Sequence, residues 1–510
     1  MSFSVRTLKE KKRSFTLPIL GKMIHALLQS AGPLSHWYAG WKTRKKEDQK
    51  NHKRVYVLKR ILISLVSVLC GILILAGVAR ALVALRILSF QTFSAITASS
   101  PGQDENGFTN ILLVGQGDKD HDGQDLTDTI IIASLDPKKS RGAVLLSLPR
   151  DLYFLETEKM GKGRLNSLYR DYKILLKRQG MSEADASLAA TQELGAEIGR
   201  TFDLPIHGVI KVNFTAFIQA VDALGGVDIE VPYDINDTAY PDEAYGFEPF
   251  AIAKGLHHLD GATALKYARS RHTTSDFDRS SRQQQLIKAL AEKARAEGIE
   301  KSPGALLKFF RIFQQNTTTT FSLNQLIGLA EIARGVDQSQ VLSMQLNDRN
   351  ALYDSFIEPG GFLYTPPRDQ FEGAAVLLPV SIPPFPVTWK QIKAMSRLFF
   401  KTREILLSHP TIAILNASGR TGLARKLSTE LLRYGFTVDI VQNASVKNLA
   451  ESFITTNEEN SANGLFLNSL LKMKTAPFPG GLNAEETRQV TIVLGKDYAY
   501  EPFQSLLLPD

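Results

Sequence analysis

Residues 110–137 read NILLVGQGDKDHDGQDLTDTIIIASLDP, and the fold class turns on them. ILLVG (111–115) and IIIASL (130–135) are short, unbroken apolar runs bounded by Gly, Asp and Pro, and AVLLSL (143–148) is a third. Such a run has no polar face, so it predicts a strand buried on both sides, in a sheet covered by helices. The loop between the first two runs, GQGDKDHDGQD (115–125), is acidic and rich in glycine. It falls at strand ends, where open α/β sheets hold their ligands. Asp128 together with Asp118, Asp120, Asp122 or Asp125 offers the one or two carboxylates that Mg²⁺ takes while keeping positions for phosphate oxygens. A plain Asp- and Gly-rich turn is the competing reading.

Moving outward, residues 182–201 have helical composition, opened by Ser182 and Asp185 in an S-x-x-D start signal. VIKVNFTAFIQAVDALGG (209–226) gives a strand, a helix and a Gly-Gly stop, and VDIEVP (227–232) another strand. Helices are expected at 280–297, 303–315 and 322–335, with VLSMQL (341–346) as a returning strand. This α/β domain is expected to end near Pro366 and Pro367. PVSIPPFPV (379–387) reads as a proline-rich spacer before a short helix reaching Ser408. TIAILNASG (411–419), RTGLARKLSTELLRYG (420–435) and FTVDIV (436–441) then form a β-α-β pattern, and QVTIVLG (489–495) returns as a strand.

Charge is unevenly placed along the 510 residues. Residues 1–60 hold 15 Lys+Arg and 3 Asp+Glu; the rest hold 45 and 49, so the net charge of +8 comes from the N-terminal tail. The bulk of the chain therefore lacks the basic surface of a nucleic-acid binder. ILISLVSVLCGILILAGVA (61–79) carries no charge, and ALVAL extends the apolar stretch to about Leu85. That length suffices for one membrane crossing. Lys53, Arg54, Lys59 and Arg60 precede it, which puts residues 1–60 in the cytoplasm and the folded units outside. A cleaved signal peptide competes, since Ala79-Arg80-Ala81 has small-x-small character, but the leader is long for one. The one cysteine, Cys70, lies inside this segment, so the outer units hold no disulfide.

Two further stretches carry candidate chemistry. In YARSRHTTSDFDRSSRQQQ (267–285), Lys266 to Arg271 is expected to finish a strand, with Arg269 and Arg271 on one face. Ser275, Asp276 or Asp278 would cap a helix starting near Arg279, whose first turn presents Arg279, Arg282 and Gln283 on nearly one side. Arginine forks and the free N–H groups of a helix start suit a phosphate group. A surface network neutralised by the interleaved aspartates is the competing reading. In LLSLPRDLYF (145–154), Arg150-Asp151 marks a strand exit, and GRLNSLY (163–169) adds Arg164 and Asn166. A surface turn with a local ion pair is the alternative there. His257 and His258 lack partners at metal-ligand spacing. No G-x-S-x-G, P-loop or H-E-x-x-H motif is present.

In this order, NILLVG, LTDTIIIASLDP, LLSLPRDLYF, DALGGVDIEVP and YARSRHTTSDFDRSSRQQQ resemble the LytR–CpsA–Psr family over about residues 109–350. AILNASGRTGLARKLSTELLRYGF resembles the LytR C-terminal domain that often follows it. The resemblance implies a central mixed sheet flanked by helices, preceded by one transmembrane helix and followed by a small α/β domain. The resulting division is a cytoplasmic segment 1–60, a membrane helix 61–85, a linker 86–108, a catalytic domain 109–367, a spacer 368–409 and a C-terminal domain 410–500.

The same resemblance implies an extracytoplasmic phosphotransferase in the cell membrane. It would move a glycopolymer from a polyprenyl-pyrophosphate carrier to peptidoglycan, with Mg²⁺ (or Mn²⁺) as cofactor and no nucleic-acid partner. By position, Arg150, Arg164, Arg269, Arg271, Arg279 and Gln283 would contact pyrophosphate, and Asp118 and Asp128 the metal. Arg150, Arg269, Arg271 and Asp276 would be catalytic, with Asp276 or a metal-site aspartate as the proton acceptor. The lipid tail would lie between the helices near 182–225 and the sheet. The chain departs from the family in its long GQGDKDHDGQD loop and in Leu126-Thr127, where an arginine is common. That departure keeps a non-transferring, lipid-pyrophosphate-binding or regulatory protein as the alternative.

Overall fold

The structure is a computed structural model. It describes residues 99–508, apart from segments 119–124, 139–141, 242–245, 271–275, 297–315, 349–360, 380–387, 457–460 and 478–486. The expected membrane helix 61–85 lies outside the described residues. Among those residues, no helix is long and apolar enough to cross a membrane.

The three apolar runs form β1 (Thr109–Gln116), β2 (Thr127–Leu135) and β3 (Ala143–Leu148). Two short strands, β4 (Tyr153–Phe154) and β5 (Gly163–Arg164), lead into helix α1 (Leu165–Arg178). Helix α2 (Glu183–Phe202) starts where the S-x-x-D signal put it, because Ser182 Oγ accepts from the Asp185 N–H at 3.1 Å. Strand β6 (Gly208–Asn213) runs straight into α3 (Phe214–Ala223), and β7 (Val227–Val231) follows the Gly-Gly stop. A hairpin of β8 (Ile235–Pro241) and β9 (Phe247–Ile252) precedes β10 (Gly255–Leu259).

Helix α4 (Gly261–Arg269) corrects the sequence reading, which put a strand at Lys266 to Arg271. Asp260 caps it by accepting from the Thr263 N–H at 2.8 Å, and Gly261, Ala264, Tyr267 and Ala268 are buried at helical spacing. Arg269 and Arg271 are thus not paired on one strand face, and Arg271 itself lies outside the described residues. Helix α5 (Asp276–Ala296) begins three residues before Arg279. Strand β11 (Thr317–Thr319), helix α6 (Leu323–Arg334) and strand β12 (Val341–Gln345) complete the domain; the helix expected at 303–315 lies outside the described residues.

The main sheet has the order β11-β6-β1-β2-β3-β12. β1 is parallel to β6 and β3 to β12, while β2 is antiparallel to β1 and β3. The sheet is therefore mixed. The C-terminal ends of β6, β1, β3 and β12 and the start of β2 share one edge. Both faces are covered. Leu112, Val114, Ile130, Ile132 and Leu146 pack with Ala190, Leu194 and Ile198 of α2, and Ile111, Ile131, Ala133 and Leu145 pack with Leu329 and Phe321 on the other face. On the sheet-facing side of α2, Ala190, Leu194 and Ile198 are at most 1% exposed.

The stretch before β1, read as linker, is packed from its first described residues. Ser99 N donates to Asn324 O at 3.0 Å, and Phe108 is 1% exposed. After strands β13 (Leu363–Tyr364) and β14 (Leu378–Pro379), helix α7 (Lys390–Ser396) passes through a π-helical turn into α8 (Arg403–Leu407). These helices are buried rather than a free spacer. The fully buried Arg403 donates to Ser134 O at 3.1 Å and Ser134 Oγ at 2.6 Å, and its guanidinium lies 3.7 Å from the Phe108 ring centre.

The second unit is a sheet built on β15 (Thr411–Asn416), α9 (Leu423–Arg433) and the parallel β16 (Thr437–Asn443), joined by β17 (Phe453–Thr456), α10 (Ala462–Leu471), β18 (Lys474–Thr475) and β19 (Val490–Leu494). A final helix, α11 (Phe503–Leu507), packs on it. One apolar core runs through both units: Phe362 meets Tyr434 edge-on, with ring centres 5.3 Å apart.

Candidate active site

The shared sheet edge gathers the charged residues. Asp128 opens β2, and Arg150 follows β3 by two residues. The adjacent strands bring them together, so Arg150 Nη1 donates to Asp128 Oδ1 at 3.2 Å. Asn166, in the first turn of α1, donates to the same oxygen at 3.3 Å. Asp128 Oδ2 takes no bond from the described residues. Burial pushes the Asp128 carboxyl up, but Arg150, the Asn166 amide and the field of Arg279 outweigh it and hold the group below its usual value.

Asp151 extends the row. It lies 3.6 Å from Arg150 Nε and 3.2 Å from Arg164 Nη1, so the charges alternate Asp128, Arg150, Asp151, Arg164. Arg150, Asp151 and Arg279 all line a cavity of about 220 Å³, together with Asp348, Thr365 and the apolar Leu346, Val376 and Leu377. Arg279 is buried in the first turns of α5.

A second group lies at the start of α3. Thr215 Oγ1 donates to Asp118 Oδ2 at 2.8 Å, and its N–H to Oδ1 at 3.4 Å. The Arg269 guanidinium lies 4.3 Å from the centre of the neighbouring Phe214 ring and donates to Tyr240 Oη at 3.1 Å. Asp118 and Arg269 thus meet adjacent residues of one helix end, although 151 positions separate them in the chain.

The family model described as LytR_cpsA_psr matches residues 89–361, more than half of the chain. The chain belongs to the LytR–CpsA–Psr family. Residues 409–498 match a second model, the LytR cell envelope-related transcriptional attenuator. Among curated relatives, TagU of Oceanobacillus iheyensis, a polyisoprenyl-teichoic acid–peptidoglycan teichoic acid transferase, is 31% identical over 225 residues, covering 44% of this chain and 62% of that one. TagV of Bacillus subtilis, named for the same transfer, is 26% identical over 264 residues, covering 51% of this chain and 60% of that one. The chain thus spans about three fifths of these relatives' length. The crystal structure of B. subtilis TagV is similar at 20% identity with a TM-score of 0.42, covering 58% of this chain and 99% of that one.

For this LytR–CpsA–Psr chain, the predicted site residues separate by location. Asp128, Arg150 and Arg164 form one continuous row, and Arg279 shares the cavity with Arg150. Asp118 and Arg269 sit at the α3 start, and Gln283 Nε2 donates to Ala268 O at 3.5 Å instead of lining the cavity. Arg282 is 2% exposed and donates to Tyr267 O and Ser270 O at the end of α4. Arg271 and the Asp276 side chain lie outside the described residues.

Sequence reading missed Lys211 and Asp348. Lys211 is 5% exposed, donates to Gln116 Oε1 at 2.6 Å, and lies 4.6 Å from the centre of the Tyr169 ring. Burial pushes its ammonium down to about 8. A lysine inside VIKVN reads as an ordinary solvent-facing strand position, so only the alternation with the inward Val209 signals it.

Proposed function

We propose that this chain transfers a glycopolymer from a polyprenyl-pyrophosphate carrier to peptidoglycan, leaving a phosphodiester link. The observation that carries this reading is the meeting of Arg150 and Arg279 in one small cavity at the sheet edge, beside Asp128. Two arginines lining one cavity suit a diester pyrophosphate, whose charge must be neutralised as the acceptor approaches. Arg269 and Arg271 would add positive charge for the same pyrophosphate.

Mg²⁺ (or Mn²⁺) belongs to the proposal. The open Oδ2 of Asp128 and the lone pairs left on Asp118 are oxygen donors of the right kind. A bound divalent ion would neutralise charge on the phosphate oxygens. Arg150 orients Asp128 for that task, and Asn166 donates to the same oxygen. We also propose that residues 61–85 anchor the chain in the cell membrane with its folded units outside, a reading supported by the uncharged run 61–79 and the basic segment before it.

The test supplies the full chain in mild detergent with a polyprenyl-pyrophosphate glycan, Mg²⁺ and peptidoglycan fragments. Linked product is expected, and Arg150→Ala should reduce its rate about 10²-fold or more. Tight lipid binding without any product would favour a non-transferring carrier protein. Equal product from Arg271→Ala and wild type would remove Arg271 from the site.

A further inference from the structure

We propose that Asp348 is the general base, the carboxylate that takes the proton from the acceptor hydroxyl as that hydroxyl attacks the pyrophosphate. This inference rests on the transfer reaction proposed above. Two carboxylates line the cavity with Arg150 and Arg279, and they are in different states. Asp151 is bridged between Arg150 and Arg164, so two guanidiniums occupy it. Asp348 has one hydrogen-bond partner among the described residues, the Thr365 hydroxyl at 3.3 Å, and no ion pair. Of the other described carboxylates around the sheet edge, Asp128 is held by Arg150 and Asn166, Asp118 by Thr215, and Asp125 by Lys173. A carboxylate locked in an ion pair is a poor proton acceptor, because the proton must displace the cation.

The position also fits. Asp348 follows β12, whose register with β3 places Gln345 beside Ser147, so both strand exits open on the same cavity. Thr365 lines the cavity too and directs one carboxylate oxygen, leaving the other for the hydroxyl. Leu346, Val376 and Leu377 keep that wall apolar, which strengthens the field of the arginines. The step balances as follows. The acceptor oxygen forms a bond to the glycan-bearing phosphorus, and the bond from that phosphorus to the bridging oxygen breaks. Polyprenyl phosphate leaves with the bridging electrons, and the hydroxyl proton passes to Asp348 and then to solvent.

The test compares wild type with Asp348→Asn, Asp348→Glu and Thr365→Val in the full chain. Asp348→Asn should bind the lipid-linked substrate with affinity unchanged within about threefold while kcat falls about 10²- to 10⁴-fold. Asp348→Glu should recover part of that loss, because it restores a carboxylate. Thr365→Val should lose about tenfold in kcat through misorientation of that carboxylate. Transfer by Asp348→Asn at the wild-type rate overturns this inference alone. So does a loss appearing in substrate binding, or accompanied by a lowered thermal midpoint and not recovered by Asp348→Glu. No transfer by the wild-type chain itself overturns the proposed function, and this inference with it.

Discussion

Replacing Arg403 by methionine should destabilise the whole described body, not the second unit alone. Its guanidinium donates to Ser134 O and Ser134 Oγ on β2, and to Phe400 O at 3.3 and 3.0 Å on its own side. Hydrogen bonds from a charged donor contribute about 1.5 kcal/mol each at the low end, or roughly 6 kcal/mol for four. Against this stands desolvation: no carboxylate lies within ion-pair distance among the described residues, and burial pushes the guanidinium down to about 10 from 12.5. At 1.36 kcal/mol per pKa unit that cost is roughly 3 kcal/mol, leaving a net contribution of about 3 kcal/mol. Methionine recovers some packing against Phe108 but leaves two buried carbonyls without this donor. The expected loss is therefore about 2–4 kcal/mol. Urea unfolding of the full chain in detergent measures it, with Trp389 fluorescence and far-ultraviolet circular dichroism as independent probes. Trp389 is well placed, since its ring lies 5.1 Å from Phe154 across the junction between the units. Both probes should report one transition, shifted together. A loss under about 1 kcal/mol, or a shift confined to one of two transitions, would refute the argument that a single core and a buried cation join the units.

Other expectations follow from the same geometry. Lys211 titrates at about 8 when folded and near 10.5 when not, so the unfolded chain holds more protons between those values and stability rises with pH across that window. Subtracting the Lys211→Met stability curve from that of wild type should isolate this rise, at most roughly 3 kcal/mol; a flat difference would contradict the burial. Asp128 is held below its usual value, so its ion pair stabilises fully above that value and is lost as pH falls through the folded one. Arg150→Met should therefore move acid unfolding, followed by circular dichroism, to higher pH, and an unmoved midpoint would argue against the pair. Asp260→Ala should cost about 1 kcal/mol in urea unfolding by removing the α4 cap, and no loss would question that helix start.

The composition of this chain was enough to determine its apolar strands. ILLVG, IIIASL and AVLLSL have no polar alternation, so they needed cover on both faces, and they received it from α2 on one side and α6 on the other. The S-x-x-D start of α2 and the β-α-β order of the second unit are equally local, and were readable for that reason. At Lys266 to Arg271 the arginines at 269 and 271 suggest a two-residue period, whereas the cap at Asp260 and the burial of Ala264, Tyr267 and Ala268 impose a helical one. Residue types and spacing marked Asp128, Arg150 and Arg279 as charged groups at element ends. Only the strand pairing, antiparallel between β2 and β3 and parallel between β3 and β12, decided that they share an edge with Asp348. Only packing separated the arginines by surroundings: Arg282 donates to the carbonyls at the end of α4, and Arg279 lines the cavity. A sequence records which charges exist, but whether one is a site or a strut depends on what stands opposite it, and those partners lie far along the chain.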